Sequence, residues 1–252
     1  MTGYLYKGMN RDQLVVPRRF RAMPPSLVTN LVYMDTQHSP LNNAGSTFAS
    51  IRFRPSSAFD VDPTIGGTSM PGFNELAGVY GRYRMLSFKA SVIASNLEDF
   101  PVNFIVFASN FDLGNNYSLV QSMFGNSFAR YKYLSPKGGM DRATVRTPWW
   151  KTEHIVGTDA VNVDTDFTAN ISNSPVNNTY LNIGIWTGNG GTLLVNGIGL
   201  QVVITAQYRF YEGFHLVTKP DPPEMHPELQ TSSDTSEIKH TLDILVKKVS
   251  AL

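Results

Sequence analysis

Two carboxylates, Asp60 and Asp62, stand one residue apart in the segment FDVDPT. A pair of loop aspartates could hold Ca²⁺ with oxygens from a neighbouring subunit, since this hard cation takes six or more oxygen ligands. The same spacing also fits ordinary turn chemistry, in which an aspartate before Pro63 favours an extended bend. Both readings stay open at this level. Trp149 and Trp150, with Trp186 elsewhere, could form a stacking platform for a sugar. They also suit core or interface anchors, where Trp is enriched.

Other chemistry is hard to place. The five histidines, His38, His154, His215, His226 and His240, form no H-x-H or H-x₃-H pair, so the metal spacing of many β-roll enzymes is missing. His38 and His154 are expected in solvated loops. No G-x-S-x-G elbow and no phosphate-binding loop is present. The glycines of TIGGTS and WTGNGGTL read as turn glycines, because no helix start with a following lysine accompanies them. Cysteine is absent, which removes disulfides, thiolate metal sites and a thiol nucleophile. The expectation is a protein without catalysis and without a required cofactor, Ca²⁺ at subunit interfaces being the exception to test.

The elements that must position these residues read as strands. Ile198–Phe210 alternates strictly, with Ile198, Leu200, Val202, Ile204, Ala206, Tyr208 and Phe210 on one face. Leu86, Phe88, Ala90, Val92 and Ala94 alternate with small polar residues in the same way. Period-2 alternation marks a strand with one buried face. Shorter strands fit Leu27–Met34, Thr47–Arg54, Val102–Ser109, Ala129–Leu134, Ala143–Thr147 and Tyr180–Thr187. Val102–Ser109 is apolar on both faces apart from Asn103, so it should be central and covered on both sides. Clusters of Gly, Pro, Asn, Asp and Ser punctuate the strands. Short helices fit only inside connections, near Pro71–Tyr80 and Ser118–Phe124. Eight strands with long decorated connections predict an all-β single jelly roll, two packed antiparallel sheets.

The 252 residues are 42% hydrophobic, enough for one sizeable core, yet only 16% charged. An ordinary soluble domain carries about 25% charge. A surface this poor in charge is often covered by other chains, although all-β proteins rich in Ser, Thr and Asn also need fewer charges. No apolar stretch has signal-peptide or membrane-spanning length, so no membrane role is expected. The N-x-S/T triplets at Asn116, Asn170 and Asn177 then read as accidents of an Asn-rich chain.

The two ends differ from the body. Residues 1–24 carry Lys7, Arg11, Arg18, Arg19 and Arg21 against Asp12, a balance of +4. They form a mildly basic arm before a body over 25–218. Residues 219–233 hold four prolines and read as an extended linker. Residues 234–252 begin with Asp234 as N-cap and Glu237 three residues on, a capping box. Ile238, Leu242, Leu245, Val249 and Leu252 then form a heptad seam. This short C-terminal amphipathic helix is marginal alone in water. It must bury its stripe on its own body, on copies of itself or on a neighbouring subunit.

One segment carries a resemblance. Ile51–Asn96, IRFRPSSAFDVDPTIGGTSMPGFNELAGVYGRYRMLSFKASVIASN, followed by FPVNFIVFASN, resembles coat proteins of small icosahedral viruses with single-stranded genomes. These include Rep-encoding circular DNA viruses and noda-like and tombus-like RNA viruses. An Arg-rich strand enters an F/Y-D-x-D-P loop, a Pro-Gly-Phe and a short helix follow, and Tyr80, Tyr83 and Arg84 open the next strand. The resemblance implies a virion protein whose copies, about 60 or a small multiple, tile a closed shell by point-group symmetry. It implies a basic arm facing packaged single-stranded DNA or RNA, and it names no host receptor. This chain departs from the pattern, for its arm is short of charge. About 60 arms at +4 supply roughly 240 positive charges, whereas a reading frame for this chain alone has about 756 phosphates. Packaging must draw on other inward-facing basic residues, on small cations or on a larger shell. The competing reading is a lectin-like jelly roll that binds sugar through Trp149 and Trp150.

Overall fold

The computed structural model describes residues 24–35, 41–112, 122–188 and 191–213. The basic arm residues Lys7, Arg11, Arg18, Arg19 and Arg21, the linker 219–233 and the heptad seam Ile238, Leu242, Leu245, Val249 and Leu252 lie outside the described residues.

Eight strands build the body: β1 Ser26–Asp35, β2 Phe48–Phe53, β3 Tyr80–Asn96, β4 Val102–Ser109, β5 Ala129–Leu134, β6 Arg142–Arg146, β9 Tyr180–Thr187 and β10 Ile198–Gly213. Two short pieces, β7 Trp150–Lys151 and β8 Thr168–Asn170, pair with β3 beyond the end of β6. One sheet has the order β1-β10-β3-β6, the other β2-β9-β4-β5. Among the eight, first pairs with last, second with second-last, third with third-last, and the middle two with each other. The chain is therefore one long antiparallel hairpin rolled into two facing sheets, the jelly roll the alternation predicts.

Strand boundaries follow the apolar pattern closely. β4, β5 and β9 begin and end where the pattern places them. β4 is central, between β9 and β5, and buried on both sides. Its inner residues Val102, Phe104 and Val106 join the core, while Ile105 and Phe107 pack on the outer face with Phe48, Trp186 and Met123.

β3 corrects the expectation. It reaches back to Tyr80, and the pairing with β10 slips so that Ser87 opposes Gln207 while Met85 opposes Tyr208. Leu86 is the extra residue of this bulge and leaves the core face. Tyr83 and Met85 point inward before the bulge, Phe88 and Ala90 after it. The two halves of the strand thus bury opposite phases of the alternation.

The widest part of the core is aromatic. Tyr83 meets Tyr208 and Phe210 at 6.0 and 6.1 Å. Phe73, on the short helix α1 Phe73–Ala77, meets Tyr83 edge-on at 5.1 Å. Edge and tilted contacts of this kind add to the area such rings bury. A second short helix, α2 Thr152–Val156, carries His154, so that histidine is helical and exposed rather than in a loop.

Candidate functional site

The Asp60–Asp62 loop is built from local contacts. Arg54, at the end of β2, forms an ion pair with Asp60. The Asp62 carboxylate accepts from the Thr64 backbone N at 2.8 Å and the Thr64 hydroxyl at 2.5 Å. That is an Asx turn over Pro63, the mechanism by which Asp favours turns. The Asp62 side chain is fully buried. The loop is closed by Arg54 N donating to Val61 O at 2.7 Å and Met70 N to Ala58 O at 2.9 Å. Among the described residues, no group of three His, Asp or Glu side chains comes together as a metal site would need.

The two tryptophans do not form a platform. Trp149 lies in the connection just before β7 and Trp150 opens that strand, and their surroundings differ. Trp150 is 3% exposed and stands edge-on to Phe88 and Phe128 at 5.7 and 6.2 Å, whereas Trp149 is 42% exposed. The adjacent-ring sugar site of the lectin reading is therefore absent. Trp186 lies on the outer face of the other sheet, edge-on to Phe124 at 5.3 Å.

What the fold does create is two unlike outer faces. The register of the β1-β10-β3-β6 sheet places Arg209, Arg82, Arg84, Lys89, Lys151, Arg142 and Arg146 on its outward side. No Asp or Glu occupies an outward position of that face between β1 and β6. Glu212 and Glu153 reach in from the rim to Arg82 at 3.1 Å and Lys151 at 3.2 Å. The outward side of the β2-β9-β4-β5 sheet instead carries Phe48, Ile105 and Phe107, which are buried in a small second cluster, beside the partly exposed Trp186 and the exposed Tyr131 and Tyr133. Its cation Arg52 is paired with Asp112 at 2.9 Å. Phe124 caps this face, 5.5 Å from Tyr131 and itself 43% exposed.

The arm residues expected to contact nucleic acid lie outside the described residues, and the basic sheet face adds to them. The signal was present, because Lys89 and Arg209 fall on the polar phase of their strands. Only strand order shows that residues from β3, β6, β7 and β10 share one surface. The sequence also offered no sign of Glu98. Its side chain is 1% exposed, and its Oε1 accepts from the backbone N of Val195, Asn196 and Gly197 at 2.7, 2.7 and 2.6 Å.

This architecture defines the chain as a single-jelly-roll protein. No family model matches it, and no curated protein matches its sequence. Among solved structures it is similar to that of a mud crab tombus-like virus, with 12% identity, 80% of this chain and 96% of that chain covered, and a TM-score of 0.42. It is similar to a virus-like particle of the nodavirus of the giant freshwater prawn Macrobrachium rosenbergii, with 10% identity, coverage of 75% and 95%, and a TM-score of 0.44. Tobacco necrosis virus gives 13% identity, coverage of 75% and 97%, and a TM-score of 0.40. These likenesses concern the fold.

Proposed function

We propose that this chain is the coat protein of a small icosahedral virus. Copies of it assemble into a closed shell, about 60 or a small multiple, around a single-stranded DNA or RNA genome. The observation that carries the reading is the segment Ile51–Asn96. The residues that resemble viral coat proteins form β2, the Asp60–Asp62 loop, α1 and β3 of a jelly roll. Their side chains serve packing and turns: Phe73, Tyr80 and Tyr83 are core, and Tyr80 Oη donates to Pro24 O at 3.1 Å, where the arm meets the body.

The surface supports the same reading. Val28, Val32 and Met34 are exposed along the edge strand β1, at 50, 45 and 59%. Exposed apolar rows on a sheet edge suit a neighbour that covers them. The basic arm, through Lys7, Arg11, Arg18, Arg19 and Arg21, would contribute to genome contact, and the heptad residues from Ile238 to Leu252 to contacts between subunits. A calcium ion at Asp60 and Asp62 would have to compete with Arg54 and Thr64 and take further ligands from a neighbouring subunit. Chelation that lowers the melting temperature of assembled particles, with recovery on adding calcium, would support such a site.

The decisive experiment is negative-stain microscopy of the expressed protein with its mass in solution. Uniform particles of megadalton size are expected. A stable monomer or small oligomer under all assembly conditions would overturn the reading.

A further inference from the structure

We infer that the outward face of the β1-β10-β3-β6 sheet binds a single-stranded nucleic acid, along a track centred on Lys89, Trp149, Arg142 and Arg146. The inference rests on the coat-protein reading for its biological setting, but its evidence is separate. Arg142 lies opposite Ser95 and Arg146 opposite Ser91. Lys89 follows two residues further along β3, so the track runs about 20 Å at the rise of a strand.

None of Lys89, Arg142 and Arg146 forms an ion pair with a described residue. Asp141, the acid beside Arg142 in sequence, is turned to its own loop, where it accepts from Gly138 N at 3.4 Å. Other cations of the face have local partners. Arg82 and Lys151 are spoken for by Glu212 and Glu153. Arg84 donates to the carbonyls of Asn162 and Asp164, in a segment that also carries Asp159 and Asp166. Of the cations on the face with neither an ion pair to a described residue nor a carbonyl partner, Lys89, Arg142 and Arg146 lie together towards β6, and Arg209 lies apart, opposite Arg84.

Charge alone would suit any polyanion. The aromatic ring narrows the choice. Trp149 is 42% exposed, and the Lys89 ammonium sits 5.1 Å from its ring centroid. A cationic track interrupted by an accessible ring is how single strands are held without sequence preference, because unpaired bases can stack while phosphates meet the cations. A duplex keeps its bases stacked on each other and leaves the ring unused. The face also narrows the charge shortfall of the arm, since three unpaired cations from each of about 60 bodies add roughly 180 positive charges to the arms' roughly 240.

The test uses the full-length chain and a labelled 20-nucleotide dT strand, titrated over a range of salt. The triple variant Lys89→Ala, Arg142→Ala, Arg146→Ala should bind at least about tenfold more weakly at physiological salt, with the salt slope reduced by about 2. Trp149→Ala should weaken binding roughly tenfold with the slope unchanged. The pair Arg82→Ala, Lys151→Ala removes from the same face two cations that already have an acid partner, and should change affinity less than about threefold. A triple variant that binds like this control overturns the inference, as does a duplex of equal length binding as tightly as the single strand. Packaged nucleic acid in purified particles, read by absorbance ratio, separates the two proposals. Particles of the triple variant with undiminished nucleic acid overturn the face assignment and leave the shell reading intact. Absence of wild-type particles overturns the shell reading, while the dT titration still decides the face.

Discussion

The Glu98 carboxylate lies 2.6 Å from the backbone nitrogen of Gly197, ninety-nine residues away in sequence. Val195 and Asn196 donate to the same oxygen. One buried carboxylate therefore gathers three successive N–H groups and fixes the turn that feeds β10. Glu98 is itself placed by Asn96, whose Oδ1 accepts from Glu98 N at 2.9 Å. Asn96 in turn donates to Phe100 O and Ser135 O at 2.8 and 2.9 Å. These two residues tie three connections together at one end of the roll.

Glu98→Ala should therefore cost about 3 kcal/mol, because it leaves buried donors without an acceptor. Glu98→Gln keeps an oxygen but loses the charge, and should cost about 1–2 kcal/mol. For a chain of this size a loss of 3 kcal/mol lowers the melting temperature by roughly 6–12 °C. Thermal melts of the unassembled protein check the order wild type, Gln, Ala.

Gly197 has φ +70, and a Cβ there would lie 2.1 Å from Leu41 O. The approach is what lets Leu41 and Ile198 exchange backbone hydrogen bonds at 2.8 and 3.1 Å. Gly197→Ala combines left-handed strain with a backbone clash that cannot be relieved by rotating a side chain. A loss above about 3 kcal/mol is expected. Soluble yield and a urea midpoint compared with Gly45→Ala, where nothing lies within 4 Å, isolate the clash from the φ cost.

Adjacent tryptophans should behave oppositely. Trp150→Ala empties a core site against Phe88 and Phe128 and should cost about 3–5 kcal/mol. Trp149→Ala should change stability by less than about 1 kcal/mol. Denaturant midpoints measured side by side give the contrast.

Alkali should unfold the protein before ordinary tyrosines would lead one to expect. Burial pushes the Tyr83 phenol up to about 12. Burial, reinforced by the Asp35 carboxylate, pushes Tyr33 to about 12 as well. An unfolded tyrosine titrates near 10. The raised pKa means the folded state holds protons that the unfolded state releases, so the stability is fully present below about pH 10 and is lost as pH rises towards 12. Tyr83→Phe should flatten the fall of melting temperature across that window. Its neutral-pH stability should also drop by about 1 kcal/mol, as the bond from Tyr83 Oη to Asn173 O at 2.8 Å is lost.

Strand positions and the jelly-roll class were legible in the sequence because a strand buried on one face imposes a period of two on the chain itself. Val102–Ser109 and Ile198–Phe210 show this directly, one through an apolar run, the other through strict alternation. The period is local, so it marks a strand wherever phase is continuous and is lost where phase breaks. The bulge at Leu86 is such a break, since the extra residue is specified by its partner strand β10 rather than by its own neighbours. Pairings across the roll were beyond local reading for the same reason. Arg142 and Arg146 look like isolated surface charges until β6 is laid beside β3, where they join Lys89 and Trp149 on one face. Glu98 reads as one acid in a polar turn until the tertiary fold delivers three backbone donors to it. Alternation, turns and burial are written along the chain. Which residues meet is set by strand order and register, which join side chains through space that no spacing along the chain encodes.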